Sequence, residues 1–153
     1  MNTQSINRIA SDFVEAYKSQ LKSDGKVASG NLINTMSYKV DYDGRYFSLT
    51  LNLADYYKYV EEGRKPGKFP PIDKIREWIQ VKPVLPHEMS NGKLPTQKQL
   101  AFLISRSIAR KGIKGTGALK NTIKSFNLAD KLVKEIYAEM NKEVEEVVKE
   151  VAK

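Results

Sequence analysis

Sixteen residues, Tyr56 to Pro71, hold three prolines and two glycines. No long helix or strand can run through such a stretch, because each proline fixes its own backbone angle and removes a donor. The chain must therefore build one set of elements before this segment and another after it. The same residues are unusually adhesive for a connection. Tyr56, Tyr57 and Tyr59 supply wide contact area at low entropic cost, and Arg64, Lys65 and Lys68 place three cations within five residues. The segment reads as a displayed contact surface, with candidate subunit-interface residues Tyr56, Tyr59, Glu62, Gly63, Arg64, Lys65, Pro66, Gly67, Lys68, Phe69, Pro70 and Pro71.

Ahead of it, Ile6, Ile9, Ala10, Phe13, Val14, Tyr17 and Leu21 recur at three and four, which predicts a helix over about Ser5 to Ser23 ended by Asp24-Gly25. The period then changes to two. Tyr38, Val40 and Tyr42 alternate, as do Phe47, Leu49, Leu51 and Leu53, so strands are expected at Ser37 to Tyr42 and Arg45 to Leu53 around an Asp43-Gly44 turn.

Past the segment, Pro70-Pro71-Ile72-Asp73 starts a short helix that stops before Lys82-Pro83, with Ile72, Ile75, Trp78 and Ile79 on one side and Trp78 read as a core anchor. Pro83, Pro86, Pro95 and Asn91-Gly92 make Val81 to Pro95 a long irregular loop. Thr96 and Gln99 form a capping box for a helix to Lys111, which Gly112 ends in the left-handed conformation. Leu100, Leu103, Ile104 and Ile108 are expected to face the core. Lys98, Phe102, Arg106 and Arg110 fall four apart in a basic stripe around one aromatic, either a solvated face or a contact for an anionic partner. From about Asn127 to Ala152, Val133, Tyr137, Met140, Val144, Val147 and Val151 alternate spacings of four and three, a heptad seam. At roughly 39 Å this helix is longer than a small domain is wide, so it is expected to pack on its own domain or on a neighbouring subunit. One internal echo pairs Ser29-Gly30-Asn31-Leu32-Ile33-Asn34-Thr35-Met36 with Thr116-Gly117-Ala118-Leu119-Lys120-Asn121-Thr122-Ile123, four identities in eight, each a local start to a helical turn with a capping hydroxyl.

The expected fold is α+β: a small antiparallel sheet packed against several helices, with a long C-terminal helix. Residues 1–126 form a single domain in this reading and 127–153 an amphipathic helix. Its 153 residues suit one compact core. No run approaches the about 20 apolar residues of a spanning helix, and the polar start lacks the layout of a secretory signal, so no membrane role is expected.

Chemistry is constrained by what is missing. With no cysteine and one histidine, His87, the usual zinc ligands and thiol nucleophiles are absent. No serine motif accompanies His87. Gly63-Arg64-Lys65-Pro66-Gly67-Lys68-Phe69 differs from a phosphate-binding loop by one residue of spacing, and Phe69 stands where a hydroxyl belongs. Glu61 and Glu62 are adjacent, so on a regular element their carboxylates point apart. No cofactor and no catalytic or metal site is expected. The net charge of +8 is concentrated, since residues 64–114 carry 12 Lys and Arg against 3 Asp and Glu. Such a local field suits an anionic partner. In one reading that partner is nucleic acid, with Lys98, Arg106, Arg110, Lys111 and Lys114 on phosphates.

The pattern Tyr56-x-x-Tyr59-Val60-Glu61-x-Gly63-Arg64-Lys65-Pro66-Gly67-Lys68-x-Pro70-Pro71-Ile72-x-x-Ile75-x-x-Trp78-Ile79-x-x-Lys82-Pro83 resembles the gene-10-like neck proteins of tailed bacteriophages. Leu100-Ala101-Phe102-Leu103-Ile104-x-Arg106-x-Ile108-Ala109-x-Lys111-Gly112-x-Lys114-Gly115 and the shorter Ser29-Gly30-x-Leu32 extend the likeness over about residues 28–119. The resemblance implies a non-enzymatic virion protein of the head-tail connector, in the company of head-tail joining and tail-completion proteins. It implies a homo-oligomeric ring of twelve or six copies between portal or adaptor and tail proteins, around the channel that DNA crosses. Its location would be the virion neck, after assembly in the host cytoplasm. Residues after Asn127 lie outside the likeness.

Overall fold

The structure, a computed structural model, describes residues 4–26, 30–43, 46–82, 84–90 and 92–152. The elements run α1 (Gln4–Ser23), α2 (Asn31–Asn34), β1 (Ser37–Tyr42), β2 (Phe47–Asn52), α3 (Tyr57–Glu61), β3 (Gly63–Arg64), α4 (Ile72–Val81), α5 (Gln97–Lys111), β4 (Ile113–Lys114), α6 (Ala118–Phe126) and α7 (Leu128–Val151). The fold is α+β, with antiparallel pairs β1-β2 and β3-β4 among the described residues. None of the described helices is long and apolar enough to cross a membrane.

The chain separates into two compact units on a division unlike 1–126 and 127–153. One unit contains residues 1–25, 35–53 and 118–153, and the other 26–34 and 54–117. In the first, α1 is the organising element. Its three-four periodicity places Ile6, Ala10, Phe13, Val14, Tyr17 and Leu21 in the core, where α6, α7 and β1 pack on it. Phe13 meets Phe126 edge-on at 5.7 Å between ring centroids, and the Tyr38 hydroxyl donates to the Asn7 carbonyl at 3.2 Å. The hairpin register pairs Tyr42 with Phe47, whose rings stack at 4.4 Å. The Tyr46 amide donates to the Asp43 carboxylate; Gly44 and Arg45, the rest of the expected turn, lie outside the described residues. Asn127, at φ 54°, turns the chain between α6 and α7, a conformation Asn tolerates better than most residues.

The second unit is held by α4 packed on α5 and by the β3-β4 pair. Three expectations need correction here. Trp78 is 38% exposed and does not anchor the core, because the inward side of α4 runs through Ile72, Ile75 and Ile79 and leaves Trp78 at its edge. Leu103 is exposed, since the buried line of α5 is Ala101 and Ser105, flanked by Ile104 and Ile108. Small residues there let α4 approach closely. Gly112 ends α5 with φ 72° and ψ −167°, a region reserved for glycine but not the left-handed helical one. The Thr96–Gln99 capping box is formed in both directions. The stretch from Lys82 to Thr96 contains no helix or strand among its described residues; Pro83 and Asn91 lie outside them. Of the echo, Ser29 also lies outside them, and the Thr116 hydroxyl donates to the Val60 carbonyl at 3.1 Å.

Candidate docking surface

The segment read from sequence as one loop contains two short elements, α3 and β3, and β3 is what fixes it. Gly63 pairs with Lys114 and Arg64 with Ile113 in an antiparallel register. The Thr116 and Gly117 amides donate to the Val60 and Glu61 carbonyls, each at 3.0 Å, and the Gly67 amide donates to the Ala109 carbonyl at 2.8 Å. Backbone to backbone, the Tyr56–Pro71 segment is sewn onto the end of α5 and the residues after it. Three glycines make this possible. A Cβ on Gly63 would run into the Ile113 carbonyl and the Gly115 amide, one on Gly112 into the Arg64 carbonyl, and one on Gly115 into the Glu61 carbonyl. Gly63 and Gly112 also have positive φ.

The side chains continue the seam. The Arg64 guanidinium donates to the Lys68 carbonyl at 3.0 Å, closing the turn through Pro66 and Gly67. Phe69 and Phe102 stack with centroids 6.1 Å apart and planes 25° apart. The loop aromatic is thereby laid on the basic stripe of α5, and the two groups of candidate residues become one surface. Beside it lies an almost wholly apolar hollow of about 390 Å³, lined by Ile72, Met89, Lys98, Gln99, Phe102 and Leu103. A second hollow of about 310 Å³ follows α5 onward along Leu103, Arg106, Ser107, Arg110 and Lys111.

The expected contact residues do not all reach this surface. Pro70 is buried and belongs to the fold, and Gly63 and Arg64 are half-buried in β3. Tyr56, Tyr59, Glu62, Lys65, Pro66, Gly67, Lys68, Phe69 and Pro71 are exposed, as are Lys98, Arg106, Arg110, Lys111 and Lys114. None of Lys65, Lys68, Lys98, Arg106, Arg110, Lys111 or Lys114 lies within 4.0 Å of a carboxylate oxygen among the described residues. Their positive field is therefore not cancelled locally. Leu103 and Met89 belong to the surface and were missed in sequence. Leu103 was read as core because it fits the apolar spacing of α5, and only the small residues Ala101 and Ser105 signalled that the helix is rotated.

Other places offer less. A polar groove of about 640 Å³ in the other unit is lined by Arg8, Lys142, Glu135, Glu139 and neighbouring uncharged residues. Its two cations face two carboxylates, so no ligand charge is selected. Among the described residues, no group of three or more His, Cys, Asp or Glu is arranged to hold a metal ion. No protein-family model, curated protein or solved structure matches the chain.

Proposed function

We propose that the protein is a structural component of a tailed-bacteriophage virion, a ring-forming subunit of the neck between portal and tail. One observation carries the reading. The two long stretches of the family resemblance, Tyr56 to Pro83 and Leu100 to Gly115, are distant in sequence, yet they are joined by the β3-β4 pair and the Phe69–Phe102 stack into one exposed surface. A pattern shared for docking needs its parts on one face. Exposed aromatic rings supported by a hydrogen-bonded backbone offer contact area that loses little entropy on binding. A ring also requires unlike, complementary surfaces on each subunit. The basic second unit and the glutamate-rich end of α7 supply such a pair.

The test is Lys65→Glu/Lys68→Glu, which changes two exposed side chains and spares the half-buried Arg64. The variant is expected to melt like the parent protein while failing to enter particles. Normal incorporation would overturn the reading.

A second reading is favoured by the cations without carboxylate partners on α5 and β4. Lys98, Arg106, Arg110, Lys111 and Lys114 would bind nucleic-acid phosphates, with affinity that falls steeply as salt rises.

A further inference from the structure

The heptad seam of α7 is uncovered. Val133, Tyr137, Met140, Val144, Val147 and Val151 are between 46% and 83% exposed. The helix packs on α1 through another side, where Leu128, Leu132, Glu135, Ile136 and Glu139 are buried or half-buried and the Ser5 hydroxyl donates to Glu139. At 100° per residue that side lies about 115° around the axis from the seam. From Met140 to Ala152 every residue is exposed. Three turns of helix therefore carry an apolar stripe with nothing on it.

Charge selects what covers the stripe. Glu143 and Glu150 border the Met140–Val151 seam on one side and Val148 on the other, while Glu145, Lys142 and Lys149 sit towards the back of the helix. A second α7 is a poor partner. In a parallel pair the positions that face each other beside the seam would be Glu143 and Val148, which form no opposite-charge pair, and an antiparallel pair would bring Glu143 towards Glu150. The fitting complement is an apolar strip with a basic rim. Phe69 of the Tyr56–Pro71 segment and Phe102 and Leu103 of α5 are exposed beside the 390 Å³ hollow, with Lys98, Arg106 and Arg110 along the same face of α5. Lengths agree as well, because Met140 to Val151 spans about 17 Å of helix axis and Lys98 to Arg110 about 18 Å.

We propose that the distal half of α7 from one copy docks, apolar seam inward, on the Phe69–Phe102–Leu103 strip of a second copy, with Glu150 and Glu143 on the flank of the seam answering Lys98, Arg106 and Arg110. This deepens the ring reading and rests on it, by naming the partner of the docking surface. The contact is heterologous: each copy offers one helix and one strip, so copies add head to tail and close into a ring when the rotation permits. It is also a helix-in-groove mode, in which seam residues supply the anchors.

The test uses two charge-reversed full-length proteins. One carries Lys98→Glu/Arg106→Glu/Arg110→Glu and the other Glu143→Lys/Glu146→Lys/Glu150→Lys. Sedimentation of each alone is expected to show association at least tenfold weaker than the parent's. Mixed one to one, they are expected to recover association to within about threefold, because each then meets a complementary partner. Native mass spectrometry should find alternating complexes with equal numbers of both. Val144→Ser/Val147→Ser/Val151→Ser checks the apolar part without touching charge, and should lose association while its melting temperature stays put.

A mixture that remains monomeric overturns the proposal. So does an α5 variant that associates alone as well as the parent, which would instead point to pairing of α7 with itself. If the parent forms rings that the triple serine variant leaves intact, the docking proposal falls and the ring reading stands. A parent protein that is monomeric at every concentration defeats both.

Discussion

Gly63 and Gly112 are where single atoms decide whether the docking surface exists. Each lies at positive φ with a backbone carbonyl where a side chain would begin. Alanine at either site must shift β3 from β4 or be accommodated by strain, and both routes destabilise the second unit. Gly63→Ala is expected to cost about 2 to 4 kcal/mol, combining an unfavourable φ with a backbone clash. Thermal melting should show it, along with faster hydrogen exchange at the Thr116 and Gly117 amides. Ser105 presents the opposite case. Its hydroxyl is fully buried on α5 with no hydrogen-bond partner among the described residues. Removing an unsatisfied buried polar atom relieves a desolvation penalty, so Ser105→Ala is expected to be neutral or stabilising by up to about 1 kcal/mol in chemical denaturation. A loss of more than about 1 kcal/mol would mean that this hydroxyl has a partner.

At the level of elements, the sequence was most legible where one local signal sufficed. The three-four spacing of α1, the alternation in β1 and β2, and the Thr96–Gln99 box each have a period or cap that neighbouring residues carry by themselves. Thr96→Ala is accordingly expected to cost about 1 kcal/mol by loss of the cap, read from a denaturation midpoint. The β3-β4 pair was illegible for a physical reason. Two residues on each side have no periodicity, and the pairing joins positions about fifty residues apart, so only the glycines at 63 and 112 hinted at a close backbone approach. Rotation of α5 was missed for a related reason: helical spacing alone allowed both Leu103 and Ala101 to be inward, and the packing of α4 chose the smaller residue. Half of the candidate surface could be named from residue types, but its unity could not, because Phe69 and Phe102 come together only through that missed pairing. The distal part of α7 follows from the same logic. Glutamates occupy the continuation of its α1-facing side, so the helix leaves its own core at about Met140. Deleting residues 143–153 should change the melting temperature by no more than a few degrees, since residues 143–152 are all exposed.

For the whole molecule the question is which anion answers the basic unit, and ionic strength separates the candidates. Phosphate binding by Lys98, Arg106, Arg110, Lys111 and Lys114 would release counterions in proportion to the contacts made. Five contacts on duplex DNA imply a log-log slope of about −4.5, hence an affinity loss of about 500-fold between 50 and 200 mM salt. Docking of an α7 helix responds differently. Its exposed charge pairs are screened once the Debye length falls to about 8 Å, but each such pair contributes only about 0.2 to 1 kcal/mol, and salt does not weaken burial of the valine seam. Self-association of the full chain is therefore expected to fall no more than about tenfold over the same salt range and to persist at 1 M. Sedimentation equilibrium across that series, beside fluorescence anisotropy on a labelled duplex, measures both quantities on one preparation. Steep loss of self-association would show that charge alone holds the copies together and would remove the apolar seam from the interface. Duplex binding that survives 200 mM salt with little loss would show that the exposed cations of α5 and β4 are not its phosphate contacts.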